Sequence, residues 1–135
     1  MQDAIHILLL MGSAPVLWQK NYPTREKADA FLEQYVASHM QTTDANDMLY
    51  AFDSSRNYNP DPLLGTIQAQ VLFINSADDA INPPELGLAE KEIQKVKNGR
   101  FVLLPISDQT VGHSTHSRPA IWGNYLEAML NSLGH

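Results

Sequence analysis

At 135 residues, with 44% hydrophobic and 18% charged side chains, the chain has the size of one domain and the composition of a folded protein rather than a disordered tail. Nine Lys and Arg against fifteen Asp and Glu leave a net charge of −6, the wrong sign for an electrostatic grip on nucleic-acid phosphates. The lack of cysteine excludes a disulfide framework, a thiolate zinc site and a cysteine nucleophile within the chain, and no apolar run approaches the roughly 20 residues that span a bilayer.

The first apolar run, Asp3 to Met11, is rich in Leu, Ala and Met rather than β-branched residues, which favours a short helix ending at Gly12-Ser13-Ala14-Pro15. Gln2 and Asp3 stand where a secretory signal would carry positive charge. Thr24 is the expected N-cap of a longer amphipathic helix, with Ala28, Phe31, Leu32, Tyr35, Val36 and Met40 on one stripe. Asp44 caps a further helix that groups Ala45, Met48, Leu49 and Phe52, and Asp47 meets its positive N-terminus. The stretch Asn57 to Pro62 then stops helix formation, because proline removes a donor and restricts the residue before it.

Beyond it the pattern changes. Ala69 to Asn75 is apolar without alternation, as in a strand buried on both faces of a parallel sheet. Asn82-Pro83-Pro84-Glu85 offers a cap, a proline at the first helical position and an acid at the third, predicting a helix that buries Leu86, Ala89, Ile93 and Val96 and closes at Asn98-Gly99. Arg100 to Pro105 is the next strand. From Ser117 a last helix aligns Trp122, Tyr125, Leu126, Met129, Leu130 and Leu133, stopped by Gly134. This order predicts an α/β arrangement with a right-handed βαβ crossover. Two strands alone leave raw edges, so the sequence reads as the C-terminal portion of a larger domain, or as a chain covered by a second copy of itself.

In open α/β sheets ligands collect beyond the carboxyl ends of the strands. Two loops end there: Ser76 to Pro84, with Asp78 and Asp79, and Ser107 to His116, with Asp108, His113 and His116. An acid on one loop and a histidine on the next would meet at one sheet edge, the geometry in which a carboxylate orients an imidazole. Either acid fits this description. Each residue also has an ordinary use, Asp as a turn former and His as a solvated loop residue. His113 and His116 with an acid form only a poor metal motif, since the spacing is not that of a helical His-Glu-x-x-His. His6 and His39 fall within helical patterns, and Tyr50, Phe52 and Tyr58 read first as packing residues.

Five stretches in order, Asp44 to Tyr50, Ser55 to Pro60, Ile67 to Ile74, Asp79 to Pro84 and Gly112-His113, resemble the C-terminal section of the homoserine O-acetyltransferase-like branch of the α/β-hydrolases. The resemblance covers about two thirds of the chain, and residues 1–43 are similar to part of a helical lid. It implies a helical lid or cap segment over 1–65 and the C-terminal part of the hydrolase core over 66–135. It also implies Asp79 as triad acid, with Asp78 second, and His113 as triad base, in the chain order expected of the fold. Asp108 reads first as a loop-surface residue, with contact to His113 as the second option.

Two departures shape the functional expectation. No Gly-x-Ser-x-Gly nucleophile elbow is present, so the chain would carry acid and base but not the serine, and would be inactive alone. The residue after the histidine, an acid that the family associates with the amino group of homoserine, is here Ser114, which points to another acyl acceptor or to water. The expectation is a serine-dependent acyltransferase or esterase with small-molecule acyl donor and acceptor. It has no cofactor or metal, acetyl-CoA entering only as an acyl donor. Neither nucleic acid nor membrane is expected as partner, and a homo-oligomer or a missing N-terminal portion completes the fold. The alternative is a non-catalytic dimerisation or interaction module derived from the same fold, which the apolar stripes around Phe31 and Phe52 would serve.

Overall fold

The computed structural model describes residues 1–133. Helix predominates, with one small parallel sheet. The elements are α1 (Gln2–Gly12), α2 (Pro15–Asn21), α3 (Arg25–Thr42), α4 (Ala45–Asp53), β1 (Val71–Ser76), α5 (Leu88–Ile93), β2 (Gly99–Leu104) and α6 (Pro119–Leu133). Single 3₁₀ turns lie at Asp61–Thr66, Pro84–Leu86 and Ser114–Ser117. Among the described residues no helix is long and apolar enough to cross a membrane.

The helix starts follow their caps. Thr24 Oγ1 accepts the Lys27 N–H at 3.4 Å, and Asp44 Oδ1 accepts the N–H groups of Asn46 at 2.8 Å and Asp47 at 3.2 Å. Pro15, read from sequence only as a stop, also opens α2, where its missing N–H costs nothing. This short helix sends Trp18 and Tyr22 against Phe31 of α3. The Tyr22 and Phe31 rings stack at 4.1 Å, and Trp18 meets Phe31 edge-on at 5.7 Å. Helix α1 packs on α3 through one face only: Ile5 and Leu9 are buried, whereas Ile7 and Leu10 remain exposed. Although its run is apolar nearly all round, α1 therefore buries only one side.

Strands β1 and β2 pair in parallel, Val71 opposite Gly99 through Ser76 opposite Leu104. The Ala77 N–H donates to the Leu104 carbonyl at 2.9 Å and carries the pairing into the following loop. Helix α5 packs on β2 and α6 on β1. The strands are not buried on both faces as expected, since Phe73 and Leu103 are each 39% exposed. Three other expectations fail in detail. No continuous helix starts at Asn82: a 3₁₀ turn at Pro84–Leu86 gives way to Gly87 at φ +64°, and α5 begins only after it. Leu86 is consequently 63% exposed rather than core, while Val96 is buried. Gly99 does not close that helix, which ends at Ile93, but opens β2. On α6, Leu130 and Leu133 are about half exposed, and its expected stop at Gly134 lies outside the described residues. Helix α4 matches its expected span, yet its apolar residues Leu49 and Phe52 are both about 60% exposed.

Candidate acid–base site

Parallel pairing brings the carboxyl ends of β1 and β2 to the same edge, and the loops that follow them meet there. A turn starting at Ser76, whose carbonyl accepts the Asp79 N–H at 3.1 Å, drives Asp79 inward until the residue is 5% exposed. Its Oδ1 accepts the backbone N–H groups of Ile81 at 2.8 Å and Asn82 at 2.9 Å. Its Oδ2 accepts Nδ1–H of His113 at 3.0 Å, the contact between the two residues singled out in the sequence. Asn82 Nδ2 lies 3.4 Å from both Asp79 Oδ2 and His113 Nδ1; with the imidazole proton directed at Asp79, only the carboxylate can accept it. Burial raises the Asp79 pKa. The N–H of Asn82, the His113 imidazole and the N–H of Ile81 together outweigh that effect and hold the carboxyl below its ordinary value.

The same bonds explain why Asn82 fails as a helix cap. Its side chain is turned to the carboxylate, and its carbonyl accepts Asn75 Nδ2 at 2.8 Å, so the segment is folded around Asp79 instead of starting a helix.

Asp78 faces elsewhere. It accepts hydrogen bonds from Ser76 Oγ and, at 2.8 Å, from Thr110 Oγ1, and so ties the acid loop to the base loop without touching the imidazole. Thr110 is 2% exposed, and its hydroxyl also accepts the Ser107 N–H at 3.1 Å. Asp108 is exposed and pairs with Lys20 of α2 at 3.1 Å. The Ser76, Asp78 and Thr110 brace escaped the sequence reading; its one local signal is a hydroxyl at each end of Ser107 to Thr110, in a loop already expected to reach the acid.

His113 is delivered by Gly112, at φ +62°. A Cβ on Gly112 would stand 2.4 Å from the Ser13 carbonyl oxygen and 3.3 Å from that of Asp78, so only glycine fits between the α1–α2 connection and the acid loop. Next in the chain, Ser114 Oγ donates to the Gly12 carbonyl at 2.8 Å. The Ser114 hydroxyl is thereby turned to the helical segment.

Nε2 of His113 has no hydrogen-bond partner among the described residues. The imidazole borders a cavity of about 570 Å³ whose apolar wall comes from Leu72 and Ile74 of β1, Leu104 of β2, and Trp122, Leu126 and Met129 of α6. Asp79 and His116 border it too. His116 Nδ1–H donates to the His113 carbonyl at 2.7 Å, and Trp122 Nε1–H donates to the His116 carbonyl at 3.2 Å. Among the described residues no three His, Asp or Glu side chains converge as a metal site. An imidazole held by a buried carboxylate, with its second nitrogen unengaged beside an apolar cavity, is equipped to take a proton from a bound hydroxyl and return it. No protein-family model, no curated protein and no solved structure matches the chain.

Proposed function

We propose that Asp79 and His113 are the acid and base of a serine-dependent acyl-transfer centre, in a chain forming the C-terminal part of an α/β-hydrolase core (66–135) behind helical lid segments (1–65). The observation that carries this reading is the 3.0 Å bond from His113 Nδ1 to a 5%-exposed carboxylate, with acid and base on loops that follow adjacent parallel strands. The resemblance of the ordered stretches from Asp44 to His113 supports it further.

In this reading Asp79 stays ionised and fixes the imidazole with Nδ1 protonated. Nε2 accepts the proton of a serine supplied by further polypeptide while the serine oxygen bonds to the acyl carbon. The proton passes to the leaving group of the donor, and an acyl-serine remains. A hydroxyl acceptor then gives its proton to Nε2, its oxygen bonds to the acyl carbon, the acyl–serine bond breaks, and the proton returns to the serine oxygen. Acetyl-CoA and simple esters suit the donor role, and an alcohol or water the acceptor role.

The test uses the natural open reading frame that contains this chain, assayed for p-nitrophenyl acetate hydrolysis and for thiol release from acetyl-CoA. His113→Ala should lower turnover by about 10⁶-fold, as loss of the base does in triad enzymes, and Asp79→Asn by about 10⁴-fold, as loss of tautomer control does. Turnover unchanged in His113→Ala removes the proposal. Exposed Leu49 and Phe52 favour a second reading, a dimerisation module, which a monodisperse dimer without hydrolytic activity in light scattering would support.

A further inference from the structure

We infer that His116 is a second substrate-holding group of this site and that, together, His113 and His116 receive a neutral diol as acyl acceptor. The inference deepens the acyl-transfer reading and rests on it. Each imidazole spends Nδ1–H on an acceptor, the Asp79 carboxylate for His113 and the His113 carbonyl for His116. In the neutral ring this leaves Nε2 of both as a hydrogen-bond acceptor. The two rings lie 5.2 Å apart, tilted by 60°, and both border the one cavity. His116 is held in place from two sides, by its own bond to the His113 carbonyl and by the bond from Trp122 to its backbone.

Two acceptors so close call for two donors on one small molecule. Hydroxyls one or two carbons apart, each about 2.8 Å from its nitrogen, span neighbouring rings at this spacing. The reacting hydroxyl then lies on His113, whose Nε2 removes its proton, and the other is held by His116. An ammonium in place of the second hydroxyl is disfavoured. Among the described residues Asp79 is the only carboxylate on the cavity wall, and its oxygens are occupied by Ile81, Asn82 and His113. Ser114 does not substitute, because its side chain is turned to the Gly12 carbonyl and lies off the cavity wall.

The experiment follows the histidine ring nitrogens of the 135-residue chain by long-range ¹H–¹⁵N NMR during titration with 1,3-propanediol, 1-propanol and 3-amino-1-propanol. The diol should shift Nε2 of His113 and His116 on one saturation curve and bind about fivefold more tightly than 1-propanol, the value of one added hydrogen bond. His116→Phe should lower diol affinity to that of 1-propanol while the His113 Nδ1–H signal, which reports pairing with Asp79, persists. His116→Gln, retaining an acceptor oxygen, should recover part of the loss and serves if the phenylalanine variant folds poorly. A His116 Nε2 signal that the diol does not move, equal diol binding in His116→Phe, or tighter binding of the amino alcohol overturns the inference. Unchanged hydrolysis in His113→Ala of the longer reading frame instead removes the acyl-transfer reading and leaves the titration result as it stands, so the two failures are distinguishable.

Discussion

Gly112 and Gly87 share a positive φ, +62° and +64°, but differ in surroundings, and the pair isolates what holds the histidine loop. Alanine at Gly87 has nothing within 4 Å of its Cβ and should cost only the left-handed backbone term, about 1 kcal/mol. Alanine at Gly112 carries the same term and also drives a methyl to 2.4 Å from the Ser13 oxygen and 2.8 Å from its carbonyl carbon. Both are backbone atoms that cannot rotate aside, so overpacking adds about 1–3 kcal/mol. The expected loss for Gly112→Ala is thus about 2–4 kcal/mol, a large share of the roughly 5–15 kcal/mol typical of a domain. Urea melts of the two variants beside the wild type measure the difference, and the His113 Nδ1–H resonance reports whether the imidazole keeps its place. If the two variants melt within about 0.5 kcal/mol of each other, the close approach does not constrain the loop and the reasoning fails.

Thr110→Val keeps shape but removes the hydroxyl that joins Asp78 to Ser107; leaving those buried groups unpaired should cost about 1–3 kcal/mol, with Thr110→Ser near wild type in the same melts. Because the Asp79 carboxyl is held below its ordinary value, its contribution to stability is complete above about pH 4 and is lost as pH falls through the lowered value. The stability gap between wild type and Asp79→Asn should therefore narrow below pH 4, and a gap that stays constant to pH 2 contradicts the assignment. Ile5→Ala, at a position 1% exposed, should cost about 2–5 kcal/mol, whereas Leu10→Ala, at 64% exposure on the same helix, should change stability by less than about 0.5 kcal/mol.

The features legible in the sequence were those fixed by local chemistry. Thr24 and Asp44 cap α3 and α4 because their oxygens reach N–H groups two or three residues on, an interaction within one turn. The strands were legible as apolar runs between turn signals, and the loops after them as places where an acid and a histidine meet. Asp79 could not be separated from Asp78 by position alone. The separation comes from the turn at Ser76, which aims one carboxylate at the imidazole and the other at Thr110, and turn geometry of that kind is a tertiary outcome. The expected helix at Asn82 was wrong because cap chemistry and Asp79 compete for the same residues, and the buried carboxylate takes them. The burial expected of Phe73 on both-face-buried strands failed, and the α6 stripe is left half exposed at Leu130 and Leu133, for another reason: a hydrophobic pattern states which residues are apolar and is silent on whether anything covers them.

The bond from Ser114 to Gly12 joins residues 102 positions apart, and Gly112 rests against Ser13 beside it. Strand pairing around α5 closes a far shorter loop than this, so the entropy of ring closure favours that unit first. The histidine loop acquires its final shape only when α1 and the α1–α2 connection dock against it. Pairing of His113 with Asp79 is thus a late event in folding, and docking of α1 is the step through which that loop has to pass.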